Sequence, residues 1–295
     1  MSVGLYYPSW SSPWTSDPTK MDLALLTNVT IVNIAFVQPN IGYVKGSNSF
    51  AGTGLEFSQD FGVVAKAIGL LQQKGVKVML SVGGSTYWST PQPFHTQNCI
   101  DLMNDLHCDG IDVDWEVGYS DRRSLTMAIQ DLKQKGCPLI SFAGFSTGAY
   151  GSDGSQYMGM NIDAMENAGG DIAWVNIMSY DAGPTYDALG AFTCYRIYYK
   201  GPLLLGFEPG PQSWGGYVET YDDVAKRTDW VKKDGPKNGI FVWCKGKDTT
   251  GSPSVDFTLS YATQQLNTVV PVTVVSPPAT IPCPHCGTAL KLVLA

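Results

Sequence analysis

Charge is scarce in this chain: Asp, Glu, Lys and Arg make up 15% of its 295 residues, and 26 acids against 19 bases leave a net charge of −7. No Lys/Arg run interrupts that acidic balance, which argues against a nucleic-acid surface. No apolar run is long enough to cross a bilayer, so no membrane partner is expected. The opening stretch MSVGLYYPSW lacks the basic-then-apolar layout of a secretory signal. As written, the chain is expected to be intracellular, with secretion of a processed form or release by lysis left open. Histidine occurs only at His95, His107 and His285, and the first two read as surface or capping residues rather than catalytic bases. The seven cysteines (Cys99, Cys108, Cys137, Cys194, Cys244, Cys283 and Cys286) are an odd, scattered set. That is not a disulfide framework, and thiols are expected. The first β-rich run is not followed by a Gly-rich phosphate turn, which counts against a dinucleotide-binding sheet, and no cofactor is expected.

Aromatic residues, by contrast, reach 12%. A chain rich in rings and poor in charge suits a neutral, ring-shaped ligand such as a sugar, although large cores also use aromatics. Eight short β-rich runs recur at near-regular spacing, at 3–8, 29–37, 76–84, 109–115, 138–144, 172–180, 201–207 and 239–244. Between them lie helix-like segments such as 61–75 and 120–136, each ending in glycine, a common helix stop. A final amphipathic stretch, 255–267, completes an eighth unit. Near-continuous apolar strands alternating with helices predict a parallel sheet covered on its outer face. Eight units in residues 1–268 predict a (β/α)8 TIM barrel, a fold of the α/β class. Residues 269–282 are Pro-rich and read as a linker or extended segment. Residues 283–295 form a short tail whose CPHC offers two zinc ligands where a structural site needs four. A thiol pair or disulfide is the preferred reading, and no metal is assigned.

The segment CDGIDVDWEVG, 108–118, is the unusual one. Read as a strand, Ile111, Val113 and Trp115 point one way, and Asp112, Asp114 and Glu116 point the other. Adjacent acids stand roughly 6.6 Å apart along the strand, two residues at about 3.3 Å of rise each. A solvated edge strand does not explain apolar residues on the opposite face. In a barrel the acids face the interior, where carboxylates so close cannot all ionise and some keep their protons. Glu116 lies nearest the C-terminal mouth and Asp112 deepest. A protonated Glu at the mouth is what a glycosidic oxygen needs as proton donor. Metal binding by these acids is disfavoured because Mg²⁺ or Mn²⁺ sites draw ligands from several strands. The G-x-S-x-G match at 144–148 would make Ser146 a nucleophile, but a Gly-rich, non-helical segment follows it and only His285 lies downstream. The Asn28 sequon matters only for a secreted chain.

DGIDVDWE resembles the DxxDxDxE signature of family 18 glycoside hydrolases, the chitinase family, with Asp109, Asp112, Asp114 and Glu116 matching its four acids. LSVGG at 80–84 is similar to the family's SxGG, with Ser81, Gly83 and Gly84 matching. MSYD at 178–181 resembles its MxYD, and Trp243 stands where the family keeps the tryptophan floor of the sugar site. The resemblance covers about residues 1–268. It implies a retaining, substrate-assisted hydrolysis of chitin or chito-oligosaccharides, with Glu116 as general acid/base and the substrate's own acetamide as nucleophile. Asp114 would swing between Asp112 and the acetamido N–H, and Tyr180 would hold the acetamido group with Asp181 alongside. Tyr6, Phe36, Gly83, Trp115, Met178, Asp181 and Trp243 are the expected substrate-binding residues. Trp10, Trp14, Trp88 and Trp214 fall in loops that could present sugar platforms or pack on themselves. Only 208–238 lies between the seventh and eighth strands, too short for the family's α+β insertion. An open groove and endo-type cleavage by a monomer are therefore expected. After the acid stands Val117–Gly118 where many relatives carry Tyr-Pro. The alternatives are an endo-β-N-acetylglucosaminidase acting on N-glycans and a chitin-binding lectin.

Overall fold

The computed structural model describes residues 1–87, 92–151, 157–183, 185–211, 217–248 and 250–267. Its eight strands are β1 (Ser2–Pro8), β2 (Ile31–Val37), β3 (Lys77–Gly83), β4 (Gly110–Asp114), β5 (Ile140–Gly144), β6 (Trp174–Ile177), β7 (Leu203–Phe207) and β8 (Gly239–Val242). They pair in sequence order into a closed barrel. All pairs are parallel, including the closing one between β1 and β8, where Val3 faces Ile240 and Leu5 faces Val242. Each strand falls within one of the β-rich runs of the sequence, save that β1 begins one residue earlier, at Ser2. The Pro-rich segment and the CxxC tail lie outside the described residues.

Parallel strands need crossovers, and seven α-helices are found among the described residues, six in crossovers and the last after β8. They are α1 (Phe61–Gln73), α2 (Thr96–Asp105), α3 (Arg122–Gln134), α4 (Ile162–Ala168), α5 (Ala188–Tyr198), α6 (Tyr221–Asp234) and α7 (Val255–Asn267). The β1–β2 connection departs from the expected repeat: it holds only short 3-10 turns at Ser9–Ser11 and Pro18–Lys20. Pro13 and Pro18, with the Ser/Thr residues around them, leave no helix-length run, and fully buried Met21 and Leu23 cover that flank instead. Between β7 and β8 the only α-helix among the described residues is α6, begun by a capping box in which Thr220 and Asp223 satisfy each other's backbone.

Strand alternation divides the core into two layers. Outside, Ile111, Val113, Val78 and Phe142 pack with helix residues such as Ile68, Leu102 and Ile129. Inside, Tyr6, Met79, Ala143, Trp174, Leu204 and Phe241 fill the barrel. Cys99, Cys108, Cys137 and Cys244 are buried free thiols, but Cys194 is disulfide-bonded, against the expectation of a thiol there. No described helix is long and apolar enough to cross a membrane.

At the bottom of β4 the interior is filled to contact. A Cβ on Gly110 would lie 2.2 Å from the Leu139 carbonyl oxygen and 2.7 Å from Met79 Cε. That carbonyl accepts the Ile111 N–H at 2.9 Å, so it cannot retreat without losing a β4–β5 link. Gly110→Ala is expected to destabilise the fold by about 1–3 kcal/mol, read as a lower urea midpoint. An unchanged midpoint would show that the two strands separate there at no cost.

Candidate active site

The inward parity of β4 carries Asp112 and Asp114 into the barrel and, just past the strand end, Glu116 to its mouth. Asp112 is fully buried and Asp114 is 4% exposed. Asp112 survives there because neighbouring strands offer donors at its level. Ser81 on β3 and Ser141 on β5 face it in register. Its Oδ2 accepts from Tyr6 Oη at 2.8 Å and Ser81 Oγ at 2.8 Å. Its Oδ1 accepts from Ser141 Oγ at 2.6 Å and Asn176 Nδ2 at 3.1 Å. Burial pushes its carboxyl above the usual carboxylate range, and the four donors pull the other way.

Asp114 lies one step nearer the mouth. Burial, and then the neighbouring charges of Glu116 and Asp112, hold its carboxyl well above the usual range. The Asp114 and Glu116 carboxyls hydrogen-bond each other, which requires one of them to carry a proton. Burial raises Glu116 from 4.5 to about 7; the bonds from Asp114 and the Ser85 backbone N–H oppose the rise, and the Asp181 charge adds to it. Burial thus raises all three acids: Asp112 against four opposing donors, Asp114 furthest, and Glu116 to about 7.

Tyr180 stands against this pair. Burial first, then the charges of Asp114 and Glu116, push its phenol up, so it remains a neutral donor. Gly206 makes room for it, since a Cβ there would lie 2.8 Å from Tyr180 Cε1. An aromatic wall completes the mouth: Phe36 stacks on Trp243 with centroids 5.5 Å apart, and Tyr6 meets the Trp243 edge at 5.6 Å. Trp10, half exposed, continues the wall 6.3 Å beyond Phe36. The peptide bonds Ala35–Phe36 and Trp243–Cys244 are cis.

Among the expected residues, Asp112, Asp114, Glu116, Tyr6, Phe36, Tyr180 and Trp243 converge on one mouth. Gly83 pairs with Asp114 in the β3–β4 register, and Met178 belongs to the inner cluster. Asp181, at φ 53°, follows Tyr180 at the rim. Trp115 is the exception and corrects the expectation of a substrate contact. It is 2% exposed and packs outside the barrel, 6.3 Å from Phe94. The alternation that turns Asp114 and Glu116 inward necessarily turns Trp115 outward. Asp109 serves the fold: its Oδ2 accepts from the Val78 N–H at 2.7 Å and Gln72 Nε2 at 3.0 Å. Trp14 is 71% exposed, while Trp88 and Trp214 lie outside the described residues. Sequence reasoning missed Ser141 and Asn176, whose signal was a polar residue at inward parity in an otherwise apolar strand. Among the described residues no cluster of His, Cys, Asp and Glu could hold a metal ion.

The family model of the glycosyl hydrolases family 18 matches residues 2–193, a span that includes β1 to β6 and all three acids. The chain belongs to that family. Solved structures share its fold at low identity. A GH18 chitinase from Pseudoalteromonas aurantia is 19% identical with a TM-score of 0.62, over 90% of this chain and 100% of that one. A fungal endo-β-N-acetylglucosaminidase of family 18 is 18% identical with a TM-score of 0.62, over 89% and 96%. A xylanase and α-amylase inhibitor protein from Scadoxus multiflorus is 16% identical with a TM-score of 0.56, over 90% and 97%. The barrel alone therefore does not fix an activity.

The raised Glu116 carboxyl has a consequence for stability. The unfolded chain ionises this group near 4.5 and the folded chain near 7, so between these values the native state binds more protons. Stability conferred by this group is therefore lost as pH rises through that window. Glu116→Gln is expected to match the parent below pH 4.5 and to exceed it by on the order of 1–3 kcal/mol above neutrality. Thermal melts across that range check this; a pH-independent difference would contradict it.

Proposed function

We propose that this family 18 member is a chitinase that cleaves β-1,4-linked N-acetylglucosamine polymers internally, with retention and with the substrate's acetamide as nucleophile. The observation that carries the reading is the hydrogen-bonded Asp114–Glu116 pair on one strand, with Glu116 held near neutrality. Trp243 stacks beneath the sugar at the cleavage point. Glu116 gives its proton to the departing glycosidic oxygen. The acetamido carbonyl oxygen attacks the anomeric carbon as that bond breaks, forming an oxazolinium ion. The proton shared by the pair passes through Glu116 to the glycosidic oxygen, so Asp114 is left ionised, accepts from the acetamido N–H and offsets the positive charge on the ring, while Tyr180 donates to the acetamido oxygen. Glu116, now ionised, takes a proton from water as that water opens the ion, and the two inversions sum to retention. Family 18 departs in this way from the scheme of two facing carboxylates.

Two features support chitin as substrate and internal cleavage as mode. The wall of Trp243, Phe36 and Trp10 offers apolar faces to successive neutral rings. Between β7 and β8, in a connection of only 208–238, α6 is the one α-helix among the described residues. The acid itself, Glu116, favours an enzyme over a lectin.

Digestion of N-acetylchitohexaose, with anomer detection, is expected to release β-anomers and oligomers of mixed length. Inverted products would remove the acetamide from the mechanism, and preferential release of chitobiose from a high-mannose glycopeptide would move the substrate to N-glycans. Glu116→Gln is expected to lower turnover about 10²–10⁴-fold, and wild-type kcat/KM should fall on the alkaline side of about pH 7 as Glu116 ionises.

A further inference from the structure

One buried ion pair at the mouth has no part in that mechanism. Glu208 follows β7 and is fully buried, and its carboxylate pairs with the ammonium of Lys247, whose side chain is 33% exposed. Register places the pair. Gly206 faces Phe241, Phe207 faces Val242, and the Trp243 N–H donates to the Phe207 carbonyl at 2.8 Å. Phe241 belongs to the inner cluster, so two residues further on Trp243 and Glu208 return to the inward side as neighbours. Lys247 comes back over them through a tight turn in which its N–H donates to the Cys244 carbonyl at 3.2 Å. Its ammonium is thereby held against Glu208, on the inward side that Trp243 shares. Burial lowers its proton affinity, and the charge of Asp181, on the rim after β6, opposes that loss.

An ammonium has three donors. One is met by Glu208, and among the described residues no second side-chain acceptor engages it. Two carboxylates around one cation leave no net positive charge, so the place does not attract an anion. It suits a neutral oxygen. We propose that Lys247 is a substrate-binding residue whose ammonium donates to a neutral oxygen of the sugar stacked on Trp243, with Glu208 as the counter-ion that positions it. This rests on the saccharide reading above and adds to it a specificity element outside the family signature.

The test uses the full chain carrying Glu116→Gln, so that ligand is not consumed, and titration calorimetry with N-acetylchitotetraose. Adding Lys247→Met is expected to weaken binding about tenfold, and adding Lys247→Arg, which keeps donors and charge, to weaken it less. Lys247→Met leaves Glu208 buried without its partner, which itself costs stability. The variant that also carries Glu208→Gln removes both charges; it should regain the parent's melting temperature and still bind about tenfold more weakly. Affinity that returns together with stability would reduce the pair to a structural staple and overturn the proposal. So would Lys247→Met binding as tightly as the parent. If the Glu116→Gln parent does not bind the tetrasaccharide at all, the saccharide reading falls first and takes this assignment with it.

Discussion

The carboxylate of Asp112 is the point on which the site turns. A lone anion at the centre of a packed barrel is costly, and here four strands share the burden: Tyr6 from β1, Ser81 from β3, Ser141 from β5 and Asn176 from β6 each give it one hydrogen bond. One step nearer the mouth, burial first and then the charges of Glu116 and Asp112 hold the Asp114 carboxyl well above the usual range. Glu116, sharing a hydrogen bond with Asp114, is left poised near neutrality at the mouth. The acid–base character of the outermost group follows first from its own burial and then from the hydrogen bond it shares with Asp114.

The scaffold supplies this without special backbone devices in β4. A five-residue strand with alternating apolar and acidic side chains satisfies both layers at once: Ile111 and Val113 bind the helices, and the acids bind the interior. Neighbouring strands provide small hydroxyl residues at the matching level, which leaves room for the hydrogen bonds. Aromatic rings from β1, β2 and β8 roof the far side. Shape and charge are thus divided between strands: β4 brings the acids, and the rest bring either donors or walls.

Much of this was legible in the sequence. Alternation at 111–116 identified which side chains share a face, and that needed only the two-residue period of a strand. Strand count and order were legible for the same reason, since apolar runs and glycine-terminated helices punctuate the chain. The first crossover was not, because its missing helix is replaced by turns whose buried residues, Met21 and Leu23, carry no periodic signal. Trp115 went astray when motif membership was allowed to outweigh parity. Lys247 and Glu208 were illegible for a different reason: they are 39 positions apart in sequence, and only the curvature of a closed sheet brings a loop lysine over a strand-end carboxylate.

The cage around Asp112 also bears on how the molecule comes into being. Its contributors are spread from Tyr6 to Asn176, and the indole at position 243 arrives later still. A partly synthesised chain therefore has the acids without the surroundings that set their protonation. The candidate site is complete only on ring closure, when β8 pairs with β1.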